Sequence, residues 1–141
     1  MPIRISKATW SYDLYNGIGF AKLNSNSDGS YYTHSSRFKN GKGTNPEELI
    51  GAALASCFSM TLANVLEDES HEPHNILVKV LVKFEVIETE PTISRIGMFI
   101  EAEVPNVTDN KFDECIKIAE EKSPIIKFFN KAMVMTDAKL I

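Results

Sequence analysis

Apolar and polar positions along this chain of 141 residues follow two rhythms, and these separate its strands from its helices. Ile76, Val78, Val80, Val82, Phe84 and Val86 occupy every second place, with Lys79, Lys83 and Glu85 between them. That period of two is what a strand with one covered face requires. Ile96, Met98, Ile100, Ala102 and Val104 repeat it, so the two segments read as a long hairpin. Phe112, Cys115, Ile116 and Ala119 then fall at helical spacing. Pro124 interrupts that helix, a second short one follows through Phe128, and alternation resumes from Ala132 to Leu140 as a final strand. Upstream, residues 4–12 and 17–23 read as paired strands with a turn at Tyr15-Asn16-Gly17. A second turn spans Asn24 to Ser30, a short aromatic strand follows at Tyr31 and Tyr32, and Arg37 to Gly43 reads as a loop.

Between these strands lies the longest apolar stretch, and it is signed as a helix. Asn45 suits an N-cap, Pro46 the first helical position, and Glu47 and Glu48 the positive end of the macrodipole. Glu48, three residues after Asn45, fits the reciprocal half of a capping box. From Leu49 to Leu66 the helix is apolar nearly all round, which predicts burial on most faces. Strands, buried helix, strands, helices and strand together give an α+β fold in a single domain, residues 1–141.

Composition narrows the classes of partner. With 43% hydrophobic and 24% charged residues the chain is ordinary for a globular protein. A net charge of -4 offers no footprint for nucleic acid or an anionic membrane. The start lacks a signal peptide's apolar core, and Ser, Cys and Thr interrupt the long helix, so a cytoplasmic protein without a membrane span is expected. Two cysteines in a reducing compartment leave catalytic, redox or inert roles rather than a disulfide framework. His34, His71 and His74 have no metal-ligand spacing to either cysteine and are expected at the surface; no metal or cofactor is expected.

The stretch from Arg37 to Met60, RF…GKGTNPEELIGAA…CFSM, carries a family resemblance. Weaker agreement covers VPN…FDECIKIAEEKSP from Val104 to Pro124 and the opening Ala8-Thr9-Trp10. On these residues the chain resembles the OsmC/Ohr family, the osmotically inducible and organic-hydroperoxide-resistance peroxidases, and within it the OsmC branch. The resemblance implies antiparallel sheets around a long buried central helix, an intertwined homodimer with its sites at the interface, and a thiol-dependent peroxidase acting on hydroperoxides. Cys57 then matches the peroxidatic cysteine, Arg37 the arginine that stabilises the thiolate, and Glu47 the acid that orients the arginine. Two positions depart from the family pattern. The second, resolving cysteine is matched by Ser123, just before Pro124, and a histidine frequent three places before the reactive cysteine is Leu54.

The chemistry can be weighed independently. An unperturbed thiol ionises near pH 8.5, so about a few per cent is thiolate at neutrality. Making the thiolate dominant takes about 2.7 kcal/mol of differential stabilisation. One arginine in a low-dielectric site can supply this, while burial opposes it. Arginine suits the task better than lysine, because its charge persists in a dry site and its fork can hold a carboxylate together with a sulfur or peroxide oxygen. Glu47 and Cys57, ten residues apart on one helix, are separated by about 15 Å along its axis. An Arg37–Glu47 pair serving Cys57 should therefore come from the other subunit. After attack, the sulfenic acid needs a thiol, and Ser123 cannot form a disulfide. Cys115, eight residues earlier and about 12 Å along a continuous helix, reads as packing. An external thiol reductant is the expected alternative.

Other readings stay open on the residues alone. Cys57 could be a small packing residue like Ala53 and Ala55, Arg37 a solvated loop residue, and Glu47 a dipole partner only. Phe38, Phe58 and Met60 could line a pocket for an alkyl peroxide or simply pack. The chain could also be a turnover-deficient relative that senses peroxide stoichiometrically or binds a small apolar ligand. Ser123 as a hydrolytic nucleophile has no recognisable base.

Overall fold

The computed structural model describes residues 2–24, 28–129 and 134–141, in two compact units, Met1–Leu49 and Ile50–Ile141. Parts of the expected Asn24–Ser30 turn and the start of the expected last strand lie outside the described residues. In the first unit, β1 (Ser6–Ser11), β2 (Ile18–Leu23) and β3 (Gly29–Tyr32) form an antiparallel sheet in that order. The first turn is built on Asp13, whose carboxylate accepts from the backbone N–H groups of Tyr15 and Asn16 at 3.0 Å each. Gly19 is small for a packing reason: a Cβ there would lie 2.2 Å from the Tyr32 ring. That ring packs beside Trp10, with centroids 5.6 Å apart.

The expected loop from Arg37 to Gly43 begins instead as a helix, α1 (His34–Phe38). Thr33 and Ser36 form a reciprocal capping box, each side chain accepting from the other's backbone N–H, at 3.0 and 2.8 Å. A five-residue helix has too few positions to show a hydrophobic period, which is why the pattern of the sequence did not disclose it. The expected strand limits of 4–12 and 17–23 are also trimmed by one or two residues at the ends.

The long helix, α2 (Pro46–Asp68), starts where its cap predicts, with the Glu48 N–H bound to Asn45 Oδ1 at 2.8 Å. The Glu48 carboxylate does not close the capping box; it accepts from the Thr44 hydroxyl at 3.4 Å. In the second unit, β4 (Asn75–Ile87) and β5 (Glu90–Glu103) pair as the expected antiparallel hairpin, with a bulge at Lys83/Phe84. Its two-residue turn, Glu88 and Thr89, has positive φ at both positions, 50° and 69°. α3 (Asp109–Lys122) buries Phe112, Cys115, Ile116 and Ala119, the predicted stripe. α4 (Pro124–Phe128) follows, and β6 (Val134–Leu140) completes a sheet ordered β4-β5-β6.

Two expectations about this unit are corrected. The second sheet is not wholly antiparallel: β6 runs parallel to β5, pairing Ile96 with Val134 through Ala102 with Leu140. The crossover that a parallel pair demands carries α3 and α4. Nor is α2 buried on most faces. Gly51, Leu54, Phe58, Leu62, Val65 and Leu66 are buried, while Ala52, Ala53, Ser56 and Met60 are exposed. A sequence that is apolar all round shows that a helix can be covered but not by what, and within one chain the sheet and α3 reach one stripe only. By length and composition α2 could cross a membrane, despite its Ser, Cys and Thr. Its Leu54, Phe58 and Leu62 instead share the core with Ile96, Met98, Ile100 and Phe112.

Candidate active site

Arg37 stands in the last turn of α1, and the connection to α2 is tied down by polar groups. The Ser36 hydroxyl reaches the Thr44 carbonyl at 2.8 Å, and Asn45 Nδ2 donates to the Ser36 carbonyl at 3.2 Å. Gly43 holds φ at +114°, and a Cβ there would fall 2.7 Å from the Tyr31 carbonyl oxygen. Only glycine meets both demands without strain. This connection sets Glu47, in the first turn of α2, against Arg37. Nε and Nη2 of Arg37 both donate to Glu47 Oε1, at 3.2 and 2.9 Å. The Glu47 side chain is 9% exposed and that of Arg37 36%, so a largely buried carboxylate is matched to a half-open guanidinium.

Behind the arginine runs a column of rings. The Arg37 guanidinium carbon lies 5.3 Å from the centre of the Phe38 ring, Phe38 stacks on His34 at 4.8 Å, and His34 on Tyr15 at 4.7 Å. His34 is thus half-buried in a stack rather than free on the surface. Sequence reasoning missed this column; the pair His34 and Phe38 at i and i+4 was the available signal once a helix was granted there. Of the residues considered for an apolar pocket, Phe58 is wholly buried in the core and Met60 points outward. An apolar depression of about 440 Å³ lies on the second sheet, beside Leu77, Leu81 and Phe99, and none of the candidate residues lines it.

Cys57 sits in the middle of α2, half-buried, and belongs to the second unit. Its Sγ lies 3.5 Å from Ser123 Oγ, across 66 residues of sequence. Ser123 is 0% exposed and serves two helices: its N–H ends α3 on the Ala119 carbonyl at 2.9 Å, and its Oγ caps α4 by accepting from the Ile126 N–H at 3.5 Å. The Ser123 hydroxyl thus touches the sulfur itself. Cys115 is free and 0% exposed, and burial pushes its thiol up from the ordinary range. It lies in the core with Phe112, Ile116 and Ala119, as packing predicts. The sequence-predicted residues therefore gather as two pairs, Arg37 with Glu47 in the first unit and Cys57 with Ser123 in the second.

The chain thus holds a helix-borne thiol facing a buried hydroxyl, together with a tethered Arg–Glu pair. The family model described as OsmC-like protein matches residues 39–136, and the chain belongs to that family. It is 33% identical over 135 residues to the peroxiredoxin OsmC of Escherichia coli strain K12, covering 95% of this chain and 94% of that protein. Among solved structures, the OsmC-like protein of Mycoplasma pneumoniae superposes with a TM-score of 0.76 at 13% identity, over 99% of this chain and 96% of that one. The organic hydroperoxide resistance protein OhrB of Bacillus subtilis gives 0.68 at 20% identity, over 97% and 98%. At these identities the structures establish the fold alone. Cys57, Glu47, Cys115 and Ser123 fall within the matched family segment, and Arg37 two residues before it.

Proposed function

We propose that this protein is a thiol-dependent peroxidase that reduces organic hydroperoxides, with Cys57 as nucleophile. The observation that carries the reading is the Arg37–Glu47 pair, locked at 2.9 Å on the first turn of the helix that bears Cys57, in a chain one-third identical to a peroxiredoxin. In the reaction the Cys57 thiolate attacks the distal peroxide oxygen. An S–O bond forms, the O–O bond breaks, and the leaving alkoxide takes a proton to become the alcohol. The sulfur, oxidised by two electrons, is then a sulfenic acid. One molecule of an external thiol condenses with it to a mixed disulfide and water, and a second thiol displaces Cys57 and leaves as the external disulfide. Arg37 stabilises the thiolate and orients the peroxide; Glu47 fixes Arg37.

Ten helical residues separate Glu47 from Cys57, about 15 Å of axis. In this reading each Arg37–Glu47 pair therefore serves the Cys57 of a second copy, in an obligate homodimer. The exposed face of small residues on α2, Ala52, Ala53 and Ser56, supports it, since small side chains let two helices approach closely. The two units form one OsmC-like domain here, because the family match runs across their boundary. Two free cysteines fit a cytoplasmic setting.

The second reading is a stoichiometric peroxide sensor, favoured by the hydroxyl at Ser123 where a resolving thiol would stand. One experiment decides. Reduced protein is mixed with excess cumene hydroperoxide, with and without dithiothreitol, while peroxide loss and intact mass are followed. Many turnovers with thiol present support the peroxidase. One equivalent consumed, ending as sulfinic acid on Cys57, supports the sensor, and an inert protein removes both.

A further inference from the structure

Ser123 is one of three buried polar or charged residues among those described, with Ser36 and Glu47. The hydroxyl of Ser36 donates to the Thr44 carbonyl, and the carboxylate of Glu47 accepts from Arg37. Ser123 is different, because capping α4 uses a lone pair of its Oγ and leaves its hydrogen unassigned. Among the described residues the other polar atom within reach of that hydroxyl is Cys57 Sγ, at 3.5 Å. With the thiol neutral, either atom could donate. With the thiolate there is no S–H, and only the hydroxyl can donate. The form of Cys57 that reacts therefore fixes the direction of the bond.

We propose that Ser123 is a hydrogen-bond donor to the Cys57 thiolate, so that the residue at this position supports the anion instead of resolving its oxidised form. The inference rests on Cys57 being the reactive thiol. A hydrogen bond to the charged form of a group favours that form, and it is worth more where water is absent. Water is excluded on the donor's side: Ser123 is wholly buried beside the half-buried Cys57, and two helix ends hold its backbone in place. The α4 cap also orients the hydroxyl, since the Ile126 N–H occupies one side of the oxygen.

Capping and donating are separable by substitution. Glycine caps a helix almost as well as serine, whereas alanine does not, and neither has a hydroxyl. The Ser123→Ala, Ser123→Gly and Ser123→Thr variants would be compared by the ultraviolet thiolate absorbance at neutral pH, with Cys57→Ser as the blank, and by the rate of alkylation with iodoacetamide. Alanine and glycine should both lower the absorbance and slow alkylation about tenfold, the lower range for a hydrogen bond to a charged group. Threonine should stay within about threefold of the wild type, since its hydroxyl persists. Protection of Cys115 from alkylation reports that each variant is folded. A glycine variant that reacts at the wild-type rate overturns the proposal, because it shows that Ser123 is a cap and nothing more. Neither readout uses peroxide. A wild type that shows this pattern but fails to turn over cumene hydroperoxide would refute the peroxidase and keep the donor.

Discussion

The Arg37–Glu47 pair makes an asymmetric prediction, because its two members differ in exposure. Removing the guanidinium by Arg37→Ala strands the Glu47 carboxylate, 9% exposed, with both Arg37 donors to its Oε1 gone. Removing the carboxylate by Glu47→Ala leaves an arginine that is already 36% exposed and can turn to water. A hydrogen bond to a charged group contributes about 1.5–3 kcal/mol, and an unpaired buried charge costs more than an exposed one. With the half-open arginine discounted for solvent, Arg37→Ala should cost about 2 kcal/mol and Glu47→Ala about 1 kcal/mol. Glu47→Gln is the informative third variant. Both arginine nitrogens converge on Oε1, so an amide oxygen can keep the geometry while the charge is lost. It should cost about 1 kcal/mol or less, as both bonds keep the guanidinium charge and only the carboxylate charge is lost. Urea denaturation at fixed protein concentration measures all three, and the double variant gives the coupling. Equal costs for Arg37→Ala and Glu47→Ala, adding without coupling, would show that burial of Glu47 does not depend on its partner and would refute the reasoning.

Four further outcomes are expected. Cys57→Ser should abolish peroxide consumption, whereas Cys115→Ala should retain at least about half of it; peroxide decay in the presence of dithiothreitol checks both. Burial raises the Cys115 thiol pKa above its ordinary value, so the unfolded chain ionises first as pH rises. The stability from this group is full below that value and declines above it, and Cys115→Ala should flatten the alkaline limb of a stability profile read by urea midpoints. Replacing Glu88-Thr89 by Asn-Gly should stabilise the hairpin, because both positions have positive φ; a gain of about 1 kcal/mol, or about 3 °C in a thermal melt, is the expected size. If the site is composite, activity per chain should fall on dilution in step with dissociation seen by sedimentation. A fully active monomer would sink the shared-site reading.

Much of the fold was legible because its signals are local. The alternation from Ile76 to Val104, the Asn45-Pro46 start of α2 and the Phe112–Ala119 stripe each depend on neighbours within one element, and each appears where expected. The parts that were not legible depend on tertiary context or on elements too short for a period. α1 hangs on one capping box, and the Glu88-Thr89 turn lacks the Asn-Gly that would advertise positive φ. The parallel setting of β6 is decided by the crossover, to which alternation is blind. In the candidate site, Arg37 and Glu47 are ten residues apart, and the family resemblance, not the local pattern, paired them. Cys57 and Ser123 meet across 66 residues, so only the family pattern singled out Ser123, and it gave no hint that the hydroxyl would touch the sulfur.

The parallel pairing of β5 and β6 also has a consequence for the order in which the molecule is assembled. The β4–β5 hairpin is local and can close early, whereas β6 must wait for the connection over residues 104–133 to be made and laid down. Ser123 lies inside that connection, and Cys57 lies upstream of all of it. A chain emerging from synthesis therefore exposes its thiol long before the hydroxyl arrives to meet it, and local opening of the crossover separates the two again. The contact between sulfur and hydroxyl is in this sense a property of the assembled fold and not of the helix that carries the thiol.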